Sequence, residues 1–78
     1  MKDLEWDQRM LGAFKALACL TEDEDQVLED WAHGKSIANT SVMHHMSTSK
    51  INRTRRLLRR KYDRIQPYTD LPKRNTSL

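Results

Sequence analysis

Apolar positions recur along this chain at helical spacing. Met10, Leu11, Phe14, Leu17 and Ala18 stand at i, i+1, i+4, i+7 and i+8, a stripe wide enough to face a core. They predict a first helix over about 4–19. "TEDE" at 21–24 then reads as a capping box. The Thr21 hydroxyl accepts from the Glu24 amide, and the Glu24 carboxylate reaches back to the Thr21 amide. Carboxylates at 22–25 also suit the positive end of a helix dipole, which is sufficient reason for the acidic run. A second helix over about 22–32 is expected to bury Val27, Leu28 and Trp31, with Gly34 as its left-handed stop. Ser36 caps a short third helix over about 37–44. After a break at His45 and Met46, Ser47 caps a last helix over about 48–65. There Thr54, Leu58, Tyr62 and Ile65 follow Ile51 at +3, +7, +11 and +14, a single sustained stripe. Lys50, Arg53, Arg56, Arg59, Arg60 and Arg64 lie elsewhere on the wheel.

The pattern predicts an all-α domain of four helices containing a helix-turn-helix, over residues 1–66. Pro67 ends the last helix, and 67–78 reads as a mostly disordered tail, dispensable for folding, with only Tyr68 and Leu71 as anchors. Leu28, Trp31, Ile51 and Leu58 should be buried together. Trp6 and Trp31 anchor the packing, and Met10, Met43 and Met46 are core filler. Two Gly and two Pro offer little punctuation for a sheet.

Charge changes the picture more than composition does. Residues 1–30 hold three Lys/Arg and nine Asp/Glu, whereas 31–78 hold eleven and two. The halves therefore carry −6 and +9, which sum to the +3 of the whole chain. One surface is acidic and one basic, the latter suited to a polyanion. A single cysteine forms no internal disulfide, and no run approaches the roughly 18 apolar residues of a membrane span. A reduced, cytoplasmic setting without membrane attachment is expected. No Gly-rich phosphate loop, Ser/His/Asp set or paired-carboxylate site is discernible, so neither an enzyme nor a cofactor is expected. The "MHHM" of 43–46 offers two adjacent histidines that diverge by about 100° on a helix, a poor start for a metal site. His44 reads as a half-buried residue and His45 as a turn residue.

A short helix, a tight turn and a longer basic helix form the plan whose second helix enters the major groove. "LTEDEDQVLEDWAHGKS" resembles the opening of LuxR-type (GerE-like) helix-turn-helix domains, with Leu-Thr, an acidic first turn, Val-Leu and then Gly-x-Ser. Met46 and Ser47 fall on that family's Ile-Ser pair, Ile51 on its buried Val, Leu58 on the next core aliphatic, and Lys61 and Tyr62 on its Lys-Leu ending. The likeness spans about residues 20–62 and extends to region 4 of bacterial sigma factors. Thr40, Ser41 and His44 stand where the family has an aliphatic residue, Ala and Leu.

The resemblance implies sequence-specific binding of double-stranded DNA by a small bacterial or phage transcription regulator. Asn52, Arg53 and Arg56 would meet base edges, an Arg fork suiting guanine and an Asn amide adenine. Ser47, Thr48, Ser49 and Lys50 would meet one phosphate, Lys35 and Ser36 the other backbone, and Arg59, Arg60 and Lys61 further phosphates. The alternatives are a protein-interaction module acting on RNA polymerase or an anti-sigma factor, and the DNA-binding part of a phage packaging subunit.

Overall fold

A computed structural model describes residues 5–74. Among them the fold is all-α: α1 (Gln8–Ala18), α2 (Glu22–Ala32), α3 (Ile37–His44) and α4 (Thr48–Ile65), then a 3-10 turn over Gln66–Tyr68. No described helix is both long and apolar enough to cross a membrane.

Local signals set the helix ends. The Asp7 side chain accepts from the Met10 amide, Ser36 from Asn39 and Ser47 from Lys50, while both bonds of the Thr21–Glu24 capping box are made. Gly34 takes a φ of 78° after α2, where a Cβ would be strained. Cys19 and His45 close α1 and α3 in the same left-handed region, at 52° and 55°. The second, third and fourth helices keep the bounds that the sequence predicts. The first starts later than the expected residue 4, because Asp7 caps it; Leu4 itself lies outside the described residues.

All three other α-helices pack on α4, whose inward face carries Ile51, Thr54, Leu58 and Tyr62. Phe14, Leu28, Ile51, Leu58 and Tyr62 have no exposed surface, and Met10, Leu11, Val27, Trp31, Met46 and Leu71 complete the core. The Trp6, Phe14 and Tyr62 rings meet one another at centroid separations of 5.5–5.8 Å, tying the segment before α1 to the end of α4.

Two expected core residues face outward. Leu17 is 54 % exposed, since α1 ends one residue later and its last turn overhangs the core. Met43 is 59 % exposed and its neighbour Val42 75 %, because α3 turns its polar side inward. Thr40 is buried there, and the Ser41 hydroxyl donates to the Met46 carbonyl at 2.6 Å. His44 Nε2 meets Asp30 Oδ2 at 3.0 Å. Two of the three polar departures are thus hydrogen-bonded, whereas the Thr40 hydroxyl has no partner among the described residues.

The segment after Pro67 also departs from the loose tail expected of it, as far as residue 74. It has no helix beyond Tyr68, yet Leu71 is buried. The Tyr62 hydroxyl donates to the Pro72 carbonyl, Gln66 Nε2 donates to the Leu71 carbonyl, and Arg74 pairs with Asp63 at 2.6 Å. Tyr68, the other expected anchor, is 88 % exposed. Residues 75–78 lie outside the described residues.

Leu58→Ala is expected to cost about 2–5 kcal/mol in chemical denaturation, the range for a buried leucine that leaves a cavity. Leu71→Ala should fall in the same range of about 2–5 kcal/mol, whereas a dispensable tail would leave the denaturation midpoint where it was.

Candidate nucleic-acid interface

The outward side of α4 is where the chain concentrates positive charge. Eight of its eighteen residues are Lys or Arg. At 1.5 Å per residue the helix is about 27 Å long, so this charge runs the length of one edge of the molecule. Ser49, Asn52, Arg53, Arg56, Arg60 and Arg64 are all exposed. Arg53, Arg56, Arg60 and Arg64 stand at i, i+3, i+7 and i+11, one row along the helix.

The lysines and arginines of α4 have different surroundings. Lys50 Nζ pairs with Asp23 Oδ2 at 2.5 Å, and Lys61 Nζ with Glu24 Oε2 at 2.9 Å. Both partners belong to the acidic first turn of α2, which therefore does more than cap its own helix: it neutralises the two lysines. Burial works against charge on Glu24, but the Thr21 amide and the Lys61 ammonium outweigh it and lower its pKa. Asp63 is lowered in the same direction, by its hydrogen bond with Arg74 against a smaller opposing effect of burial. None of the six arginines of α4 has a carboxylate within 4.0 Å among the described residues.

The residues expected to meet bases, Asn52, Arg53 and Arg56, are brought together on the exposed face. Of those expected at phosphates, Ser47, Thr48 and Ser49 are exposed at the start of α4. The Ser47 and Ser36 oxygens accept helix amides as caps, which leaves each hydroxyl proton free to donate elsewhere. Lys35 is exposed and lies 3.9 Å from Asp30. Lys50 and Lys61 sit on the flank of the helix, held by α2, and do not join the arginine row. Arg60 does join it. Arg59 lies on the opposite flank, its guanidinium carbon 4.9 Å from the centroid of the Trp31 ring.

Arg55 is the residue that the sequence pattern passes over. It is half-buried, its guanidinium carbon is 4.8 Å from the Trp31 centroid, and its Nη2 donates to the Lys35 carbonyl at 3.3 Å. Burial first, and Arg59 second, lower its pKa. A signal was present in the sequence: Arg55 and Arg59 are one helical turn apart, next to the buried stripe. Finding Trp31 beneath them needs the crossing of α2 over α4, which no local pattern supplies. His44 and His45 do not converge on a common point: His44 bonds to Asp30, and His45 is the left-handed residue of the turn.

No family model, curated protein or solved structure matches this chain.

The Glu24 linkage has a definite sign. Its folded pKa lies below the ordinary 4.5, so the unfolded chain binds more protons in the interval between them. The stability that it contributes is complete above about pH 4.5 and disappears as pH falls through the folded pKa. Glu24→Gln keeps an acceptor for the Thr21 amide but cannot titrate. Acid titration of the two proteins by circular dichroism should show a shallower loss of stability below that pH in the variant.

Proposed function

We propose that the chain binds double-stranded DNA in a sequence-specific way, with α3 and α4 as a helix-turn-helix and α4 in the major groove. The observation that carries this reading is the set of six α4 arginines without a carboxylate partner among the described residues, four of them in one exposed row. A surface evolved only for solubility would be served by mixed charges, and the acidic residues to mix are present in this chain. Among the described residues they are placed elsewhere, with Asp23 and Glu24 on the α4 lysines, Asp63 on Arg74 and Asp70 on Arg9. Guanidinium groups left open in a row along about 27 Å of helix suit phosphates and guanine edges alike.

Under this reading Asn52, Arg53 and Arg56 meet base edges, while Ser36, Ser47, Thr48, Ser49, Arg59 and Arg60 position the backbone. Lys35 is placed to add charge near the start of α3. Lys50 and Lys61 contribute to the field but keep their carboxylate partners. The LuxR-type and sigma-region-4 likeness supports the same assignment through the spacing of Thr21, Gly34, Ser36, Ser47, Ile51 and Leu58. The role is that of a small bacterial or phage transcription regulator acting in the cytoplasm, by binding and not by catalysis.

A second reading draws on the outward Val42 and Met43 of α3. Apolar side chains at adjacent exposed positions of a short helix fit a protein contact, as with RNA polymerase or an anti-sigma factor. Duplex binding that weakens steeply with salt favours the first reading over the second. A packaging role would give the same binding without an effect on transcription.

Selection of sites from random duplexes, followed by footprinting, provides the preferred sequence for a mutational test. On that site Arg53→Ala is expected to cost about 1–3 kcal/mol and to relax preference at one base pair. Arg60→Ala should weaken preferred and scrambled duplexes about equally and reduce the salt slope by about one contact. Identical behaviour of the two variants across a salt series would make α4 an electrostatic surface and not a reader of sequence.

A further inference from the structure

Two guanidinium groups share one indole. Arg55 and Arg59 lie 4.8 and 4.9 Å from the Trp31 centroid, and neither has a carboxylate within 4.0 Å among the described residues. Cation–π attraction to one ring offsets part of the cost of holding two like charges together, but supplies no counter-charge. Each guanidinium has five N–H donors in a planar fork. Arg55 uses Nη2 on the Lys35 carbonyl, while its Nε is out of contact with solvent and has no acceptor among the described residues. An oxyanion at the outer N–H donors of the two forks would supply the missing counter-charge, while the enclosed Nε stays beyond its reach. The lowered pKa of Arg55 has the same two causes, burial and Arg59.

The neighbourhood narrows the identity of that anion. The bond to the Lys35 carbonyl fixes Arg55 beside the residue that precedes the Ser36 cap, at the start of α3. The Lys35 ammonium is exposed on the same segment. Asp30 Oδ1 lies 3.9 Å from the Lys35 ammonium, but among the described residues no side-chain carboxylate comes within 4.0 Å of Arg55 or Arg59. The α4 row of Arg53, Arg56 and Arg60 runs beside this group on the same helix.

We propose that Arg55 and Arg59, stacked on Trp31 and assisted by Lys35, form a clamp for one backbone phosphate of duplex DNA at the edge of the groove that α4 enters. This rests on the DNA-binding reading above. Trp31 touches no ligand; it is a positioning residue that holds both forks in the plane needed to grip phosphate oxygens. The clamp is indifferent to sequence and fixes the register in which Arg53 and Arg56 meet the bases.

The indole makes the site observable. Trp6 and Trp31 are the two tryptophans of the chain, so Trp6→Phe leaves Trp31 as the single reporter. In that protein, duplex DNA at saturation should change Trp31 emission, with binding followed independently by anisotropy of labelled DNA. Arg55→Ala should weaken preferred and scrambled duplexes alike by about tenfold and lower the salt slope by about one contact. Arg55→Lys should restore only part of the affinity, because an ammonium keeps the charge without the fork. Arg59→Ala, at an exposed position, should repeat the loss if Arg55→Ala proves poorly folded by circular dichroism. Bound duplex with silent Trp31 emission, or Arg55→Ala and Arg59→Ala binding as tightly as the parent, overturns the clamp and leaves DNA binding standing. Inorganic phosphate moving the emission as far as duplex does would make this a free-anion site and equally overturn it. Absence of binding by the parent to any duplex at low salt fails the DNA reading, and the clamp with it.

Discussion

The buried seam of α4 is the constraint on which everything else in this fold depends. The helix carries seven like-charged pairs at i, i+3 or i, i+4, among them Arg53–Arg56, Arg55–Arg59 and Arg60–Arg64. At about 0.2–0.5 kcal/mol each, such pairs together oppose the helix by roughly 1–4 kcal/mol. Ile51, Leu58 and Tyr62 are fully buried on its other side, and burial at about 1.5–3 kcal/mol per large apolar side chain contributes roughly 5–9 kcal/mol. Burial wins, and only because α1, α2 and α3 all close over the same seam. The charged face is an arrangement that the packed domain permits and an isolated peptide would resist.

The acidic turn of α2 has three simultaneous tasks. It completes a capping box, it favours the dipole of its own helix, and it reaches across to Lys50 and Lys61. Because Glu24 is nearly buried, its partner ammonium is required to balance it, in contrast to a solvated surface pair of small value. The charge asymmetry between the two halves of the sequence is therefore partly internal. On α4 the cations left without a carboxylate among the described residues are guanidinium groups, on the row from Arg53 to Arg64 and on the Trp31 flank.

Much of the fold was legible because its signals are local. Thr21, Ser36 and Ser47 each announce a helix start, and the Ile51–Ile65 stripe states which face of α4 turns inward. Leu17 and Met43 misled because apolar character alone does not say where a helix runs out of core to cover. On α3 the inward side is Ile37, Thr40, Ser41 and His44, so hydropathy points the wrong way; the decisive partners, Met46 and Asp30, lie outside that helix. The Leu71 anchor was visible as a residue, but its burial depends on chain reversal after Pro67, with Tyr62 and Gln66 supplying the bonds. Of the candidate site, the exposed residues Asn52, Arg53 and Arg56 follow from periodicity. The pairing of Lys50 and Lys61 and the stacking of Arg55 are set by the crossing of α2 over α4, a tertiary fact that no window of sequence contains.

The division between tethered lysines and open arginines separates what chemical modification can reach. Acylating reagents and enzymes act on amines, and on α4 the two amines are the ones paired with Asp23 and Glu24. Neutralising Lys61 would strand a buried carboxylate and loosen the contact between α2 and α4, while leaving the guanidinium row at full charge. Guanidinium also keeps its proton throughout the physiological range. The exposed face of this helix is thus insulated from lysine acylation and from ordinary shifts in acidity, and on α4 the residues open to acylation are those that hold the scaffold.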